Sequence, residues 1–576
     1  MDCEAATAGC RYVVTPATLT TDGGLMEREL RCDILIVGAG TGGCAAAIAA
    51  CRAGKTVVMT EPCEWVGGQL TSQAVPPDEN RWIETHGGTY TYQRFRQQVR
   101  RYYRDHYPLT ADARADDHLN PGTGFVSRLC HEPKVSHAVL LEMLAPFSSA
   151  GLLRILRFVE PTRVDTADDA IRSVTFASLH GESDVTVSAD YVLDATELGD
   201  LLPLCGAEHV TGAEARSETG ELHAADKPAP HNVQAITWCF AIGYDPAPGA
   251  DHRIDRPEQY DRWRDYTPSV APAWPGRLFS WTDVYPYTLA PRNNYLFASE
   301  SDPAAGRTGQ SYFGYRQIVG ARHWDQSHRP HEATIVNWPM NDYIEADLMS
   351  ESEEERERAL IDSRQMALSL LYWLQTDAPN YTTGATGYPG IYPRGDAVGT
   401  NDGLAQYPYI RESRRIRARF TVTEEHVGTE MRHGVVRIPG QPEPTDLYGL
   451  TGERFADSVG IGHYRIDLHI STGGDNYIDV STLPFHIPLG SLVPVRMRNL
   501  IAAGKNIGTT HISNGCYRLH PVEWNIGEAA GHLAAFCVAR GVAPSQVHES
   551  TGLFDDFRRE LVANGVRTEW PTTAAV

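Results

Sequence analysis

Residues 32–61 read CDILIVGAGTGGCAAAIAACRAGKTVVMTE. Ile34-Leu35-Ile36-Val37 is a short apolar, β-branched run of the kind that forms a buried parallel strand. Gly38-Ala39-Gly40-Thr41-Gly42-Gly43 matches GxGxxG, Cys44–Arg52 is Ala-rich and helical, and Thr56–Met59 is a second strand ending beside Glu61. Each part has a physical duty in binding a dinucleotide. Gly38 permits the tight turn, Gly40 lets backbone approach a pyrophosphate, and Gly43 lets the helix pack close to the sheet. The free N–H groups at the helix start then meet phosphate charge. Glu61 accepts hydrogen bonds from a ribose, and an acid there favours an unphosphorylated ribose. A bare GxGxxG is weak; strand, turn, helix, strand and acid in the correct order are strong.

The flanking segments narrow the dinucleotide. Pro62–Thr71 contains the pair Gly67-Gly68 followed by Gln69-Leu70, which resembles flavoproteins of the glutathione-reductase fold type, where the chain doubles back along the pyrophosphate toward the flavin. LLRILRFVE, IRSVTFASL and DVTVSADYVLDAT, within residues 152–196, read as three strands with turns at 161–169 and 180–184. A three-stranded excursion returning to a parallel strand resembles the FAD domain of that fold. There Val159 lies against adenine, and Asp194-Ala195-Thr196 matches the "ATG" segment, with Glu197 in place of the usual Gly. No second glycine fingerprint and no CxxxxC pair occur, so NAD(P)H has no dedicated domain.

Residues 499–531, NLIAAGKNIGTTHISNGCYRLHPVEWNIGEAAG, read as a strand, a long polar turn-rich run, and a helix from Val522 to Arg540 with Pro521 in its first turn and Gly541 as its stop. In the same fold type a late strand ends beside the ribityl chain, which places Gly504 and Asn506 there. A helix start then faces the flavin N1/O2 edge, which places Asn525 and Ile526. GGQLTSQAVPPDE, DATELGDLLPLCGAEHVTGAEARSETGE, LPFHIPLGSLVPVRMRNLIAAGKNIG and RLHPVEWNIGEAAG together are similar to a bacterial FAD-dependent oxidoreductase family, across residues 32–540. The resemblance implies an α/β protein: a Rossmann-like FAD-binding domain from residues 31–212 and 491–545, and an α+β substrate-capping domain over 213–490. A 1–30 extension and a 546–576 C-terminal segment complete it. In the capping region SEEERERALIDSRQMALSLLYWL reads as a long helix with an acidic start that suits its dipole, and RESRRIRARFTVT as a strand whose arginines form a solvated or paired face.

Bulk properties remove other classes. The 576 residues carry a formal charge of −22, so no basic face replaces counterions and no nucleic-acid role is expected. Only four of 51 basic residues are lysine, a bias associated with GC-rich bacterial genomes. Eleven scattered cysteines without ligand spacing favour a reduced, cytoplasmic protein with no metal site. No 18-residue apolar run predicts a membrane span, and MDCEAATAGCRYVVTPATL lacks the regions of a signal peptide. Oligomeric state is not legible.

A bound flavin accepts hydride, so the protein must orient the donor carbon and handle a proton. His520, just before the flavin-facing helix, is the leading catalytic candidate. His511, His86 and Arg518 follow, Arg518 as a carboxylate or N1/O2 contact. His131, Glu523 and His532 are further candidates, Glu523 also as a helix-end cap. Three functions compete: an FAD oxidase or dehydrogenase acting on a C–N or C–O bond of a small organic molecule, plausible in specialised metabolism; a monooxygenase using NAD(P)H and oxygen; and a non-redox binding protein.

Overall fold

A computed structural model describes residues 28–432 and 452–571. The expected N-terminal extension therefore lies outside the described residues up to residue 27. Residues 28–30 already belong to the first strand.

The strands are β1 (Arg28–Val37), β2 (Val57–Glu61), β3 (Leu153–Arg157), β4 (Val159–Ala167), β5 (Ala170–Ser178) and β6 (Val185–Asp194). With the late strand Leu500–Ala502 they form a seven-stranded sheet in the order β3-β2-β1-β6-β5-β4. β1 pairs in parallel with β2 and β6, and β2 with β3. The free edge of β6 is shared. Its first half pairs antiparallel with β5, Ser173 opposite Ser188, and its last three residues pair in parallel with Leu500–Ala502. The late strand thus joins the sheet beside Asp194, where β1 and β6 both end.

The three-stranded excursion differs in detail from the pattern expected from sequence. Leu153–Arg157 belongs to the parallel sheet, and the chain kinks at Phe158, whose φ is 57°. The first expected turn, over 161–169, narrows to its last two residues: β4 continues through Pro161, and the hairpin turns at Asp168-Asp169, both at positive φ, a conformation Asp tolerates better than β-branched residues.

Helix α1 (Thr41–Arg52) covers β1 and β2. It lies against the long helix His520–Arg540, which ends at Gly541 in the left-handed conformation. The crossing is close: a Cβ on Gly527 or Gly531 would run into the carbonyls of Gly42 or Ala46. The polar run before this helix is itself partly helical, at His511–Tyr517. Thr510 caps it, its hydroxyl accepting from the Ser513 N–H at 3.0 Å. All seven residues are buried, so packing overrides their poor helix propensity.

A second core draws mainly on residues 233–410, while Val422, Val459, Phe485 and Ile487 belong to the first. Its centre is an antiparallel sheet in the order Gln317–Val319, Ala333–Val336, Phe240–Tyr244, Ile391–Pro393. The helix Glu353–Thr376 packs Met366, Leu370 and Leu374 into this core and is capped by Ser352. Of the arginines expected to form a solvated or paired face, Arg411 and Arg415 are paired and buried, to Asp342, Glu214 and Glu412, while Arg417 is exposed; only Arg415–Ile416 is strand. The C-terminal segment docks on the first core, with Trp570 donating to the Phe485 carbonyl. Among the described residues no helix is long and apolar enough to cross a membrane.

Candidate active site

β1 ends in a turn that only glycine fits. Gly38 has φ of 96°, and a Cβ there would run into the Ala195 carbonyl. A Cβ on Gly43 would meet the Gly38 carbonyl, so this residue sets the helix-to-strand approach, as its place in the motif implies. The Gly67 N–H donates to the Ala39 carbonyl at 2.7 Å, and the Thr41 hydroxyl donates to the Gly67 carbonyl at 3.0 Å. The second glycine pair is thereby laid across the first.

A cleft of about 660 Å³ opens along this turn. Gly38, Gly40, Glu61, Gly68, Val159 and Thr196 all line it, six residues separated by up to 158 positions in sequence. Its ends are chemically distinct. Val159 and Pro161 are apolar lining; opposite in chemistry are the glycine turn and Thr196, whose N–H and hydroxyl both donate to Asp194. These residues suit the adenosine and pyrophosphate portion of a dinucleotide, since a Cβ at Gly40 or Gly68 would intrude into the cradle. Glu61 accepts from the Ala39 and Cys63 N–H groups at 3.0 and 3.1 Å, and burial pushes its carboxyl up to about 8.

Glu197 occupies this cradle. Its Oε1 would lie 2.7 Å from a Cβ on Gly40 and 2.5 Å from one on Gly68, and has no hydrogen-bond partner. Its Oε2 accepts from the Lys505 ammonium, which also approaches Glu523 at 3.5 Å. Burial opposes charge on Lys505, but Glu197 and Glu523 outweigh it and hold the ammonium above its ordinary range. Glu523 faces inward to Lys505 and the Gln69 amide and does not act as a helix-end cap; burial raises its carboxyl to about 7.

Beyond Gln69 lies a buried polar cluster. His520 Nδ1 accepts from the Asp78 N–H at 3.0 Å. Burial and then the Arg316 charge hold the ring far below the usual histidine range, so it is neutral. With Nδ1 accepting, the ring proton sits on Nε2. The Val75 backbone lies close enough to favour protonation slightly, yet Nε2 makes no hydrogen bond. Arg316 approaches Asp78 at 3.5 Å without a hydrogen bond. Arg518 donates to the Tyr409 hydroxyl at 2.6 Å and to the Asp467 carbonyl at 2.7 Å, and its own carbonyl accepts from Gln69 at 3.0 Å. The cluster adjoins the cleft, because Gly68, Gln73 and Tyr407 line the cleft while Gln69 and Tyr409 carry the same segments inward.

The structure brings His520, Arg518, Gln69 and Gly504 into this neighbourhood and sends other candidates elsewhere. His511 pairs with Glu412 at 2.9 Å and lines a separate cavity with Glu214, Glu221 and His223. His86 is half-buried beside Trp82 and Trp570. Both ring nitrogens of His131 are engaged, by the Leu129 carbonyl and the Ser136 hydroxyl. Asn506 spans the Asp194 carbonyl and the Gly504 N–H, tying the late strand to β6. Asn525 binds the Ile461 N–H and the Val459 carbonyl, Leu70 and Ile526 are core, and His532 is buried with Nε2 unpartnered. Asp78 and Arg316 carried no signal beyond their residue type, since nothing local in sequence joins positions so far apart. Among the described residues no group of His, Cys, Asp and Glu has the arrangement of a metal site.

No curated protein matches the chain in sequence. Solved structures that match part of the chain include L-proline dehydrogenase from P. horikoshii, at 15% identity and TM-score 0.16, covering 32% of this chain and 24% of that one. Glycerol-3-phosphate dehydrogenase from Bacillus halodurans, complexed with FAD, gives 12% identity and TM-score 0.22 over 37% of this chain and 40% of that one. A 3-ketosteroid-Δ4-(5α)-dehydrogenase from Rhodococcus jostii RHA1 gives 14% and 0.19 over 32% and 51%. The chain thus spans about half or less of each of these structures. The family described as FAD dependent oxidoreductase matches over residues 33–561, from the middle of β1 to the last helix, and so takes in the glycine cradle, the late strand and the helix behind them. On that match the chain belongs to the FAD dependent oxidoreductase family, and it is an enzyme whose cofactor is FAD.

Proposed function

We propose that this enzyme oxidises a small organic molecule at a C–N or C–O bond, with hydride passing to FAD. What supports the reading is that Gly68 lines the glycine cleft while the next residue, Gln69, donates to the Arg518 carbonyl in the buried polar cluster around His520. In this reading Gly38, Gly40, Gly68 and Thr196 hold the pyrophosphate, and Glu61 and Val159 the adenosine. Bound FAD supplies a two-electron acceptor. The chain's own part is to shut the reacting bond away from water and to place donors around it. His520, Arg518 and Gln69, all nearly inaccessible to solvent, serve this purpose. Asn506 and Asn525 act indirectly, by holding the late strand and the long helix in place. The nine described cysteines, all buried and none in a disulfide, support a reducing, cytoplasmic setting.

The test is anaerobic reduction of the purified yellow protein. Candidate amines and alcohols bleach the flavin without NAD(P)H, and readmitted oxygen tells an oxidase from a dehydrogenase. Bleaching by NADPH alone would overturn the reading in favour of a monooxygenase. Gly40→Val puts a branched side chain into the cradle and weakens FAD binding at least roughly tenfold, about 1.4 kcal/mol. A fully yellow variant would contradict the assignment of the cleft.

A further inference from the structure

Several buried side-chain atoms at this site have no hydrogen-bond partner in the protein: Arg316 Nε and Nη1, Arg518 Nε, His520 Nε2, Asp78 Oδ1 and Gln69 Oε1. These residues are 8% exposed or less. Buried polar groups are almost always paired, and a set of orphans in one place marks where a partner of another molecule belongs. Donors outnumber acceptors in this set, because His520 carries its proton on Nε2. The partner therefore presents mainly acceptor atoms.

Charge narrows it further. Arg518 is already spent on Tyr409 and Asp467, and Lys505 on Glu197 and Glu523. Arg316 is the guanidinium with two free donors, and its nearest counter-charge, Asp78, stands at 3.5 Å without a hydrogen bond. One cation with two free N–H groups suits a monoanion with two oxygens, which is a carboxylate and not a phosphate dianion. Asp78 Oδ1 then remains as the acceptor for a substrate proton.

We propose that the substrate is a carboxylic acid bearing an oxidisable C–OH or C–NH group, with its carboxylate on Arg316 and His520 Nε2–H and its hydroxyl or amine proton taken by Asp78 Oδ1. The proposal rests on the FAD-dependent oxidation proposed above. The O–H or N–H bond breaks with its proton going to Asp78. The neighbouring C–H bond breaks with its electron pair and hydrogen going to oxidised FAD, and a C=O or C=N bond forms. Two electrons leave the substrate and two enter FAD. In this scheme His520 is a neutral hydrogen-bond donor that positions the acid, and Asp78 is the base.

The experiment is calorimetric titration of the yellow holoprotein with formate, acetate, propionate and benzoate, each beside its amide. These probes lack the oxidisable group, so the readout is binding and not turnover. At least one acid binds ten times more tightly than its amide, and Arg316→Met removes that preference while the flavin spectrum is kept. Asp78→Asn retains acid binding and slows anaerobic bleaching by an oxidisable acid at least roughly 100-fold. Equal binding of acids and amides, binding of none of the acids, or an unchanged preference in Arg316→Met overturns the proposal. The acid–amide comparison in wild type holds even where a variant fails to fold. Protein that takes up no FAD would instead sink the reading on which the proposal rests.

Discussion

Glu197 stands where glycine is usual after Ala-Thr, and its Oε1 lies in the cradle between Gly40 and Gly68. A pyrophosphate brought to that turn meets a carboxylate already there. Two unit charges about 4 Å apart repel by roughly 4 kcal/mol at an effective dielectric near 20, and the Lys505 partner offsets part of this. Glu197→Gln keeps the shape and removes the charge, so FAD should bind the apoprotein about tenfold more tightly. Quenching of flavin fluorescence on titration measures it, and weaker binding in the variant would show that Glu197 is an attractive contact. The same scale shows what residue type discloses. Gly38 and Gly43 were legible because the turn and the close helix approach follow from chain geometry within 30 residues. Asn506 and Asn525 look like cofactor contacts in sequence, yet both amides bind backbone, Asn506 the Asp194 carbonyl and the Gly504 N–H, Asn525 two groups of the strand Ser458–Gly462, a task for which an amide is equally suited. His520 was legible in position but not in protonation state, which depends on the N–H of Asp78, 442 positions away in the chain.

At the level of elements, the two ends of the chain form one site because α1 and the helix His520–Arg540 cross through glycines. The close approach is not a property of either helix alone. Gly527 lies early in its helix, and Gly42 is in the first turn of α1. Gly527→Ala would drive a methyl group into the Gly42 carbonyl, a backbone atom that cannot swing aside. Overpacking of this kind costs about 1–3 kcal/mol, and the displacement passes directly to the glycine cradle. Urea denaturation of the apoprotein should show the loss, together with weaker FAD binding. Gly552→Ala is the control of opposite sign. It lies in the helix Thr551–Ala563 with nothing near a Cβ, so alanine should stabilise by about 0.5–1 kcal/mol. Equal effects at the two sites would mean that the helix crossing is not tight. Elements set by local pattern are legible in the sequence: β1, α1, β2 and the Gly541 stop all stand. The helix His511–Tyr517 is not, because Gly, Asn and His are poor helix formers and only burial, with the Thr510 cap, makes them helical. The β4–β5 turn falls at Asp168-Asp169, the far end of the expected 161–169 stretch, because Pro161 is absorbed into β4, whose first residue, Val159, already pairs across to Ser178.

Across the whole molecule, buried titratable groups oppose one another in a way that fixes where the apoprotein is most stable. Burial lowers His131, His137, His463 and His532 to about 4 from an ordinary 6.5. A histidine whose folded value is depressed takes up its proton more readily when unfolded, so stability is lost as pH falls below 6.5 toward 4. Burial raises Glu61 to about 8 and both Asp194 and Glu523 to about 7. A carboxyl whose folded value is raised contributes stability that is full below its unfolded value, near 4, and that disappears as pH rises through the folded value. His511, raised by Glu412 against the effect of burial, acts in the same direction above 6.5. Buried thiols such as Cys51 and Cys130, raised to about 12 by burial, extend the loss beyond pH 8.5. Between pH 4 and 6.5 the histidines and carboxyls work against each other. Above 6.5 the depressed histidines are neutral in both states, and the slope belongs to the raised groups alone. Tm should therefore peak near about pH 6–6.5 and fall by roughly a few degrees by pH 8.5, since a tenfold difference in proton affinity between folded and unfolded chain is worth about 1.4 kcal/mol. Scanning calorimetry of the apoprotein from pH 5 to 8.5 measures it. Glu61→Gln removes the carboxyl with the highest folded value of the three and should flatten the alkaline limb while steepening the acid limb, where Glu61 opposes the histidines. A Tm that climbs from pH 6.5 to 8.5 would mean that Glu61, Asp194 and Glu523 are ionised in the folded protein, and the cleft would then be far more anionic than its burial implies.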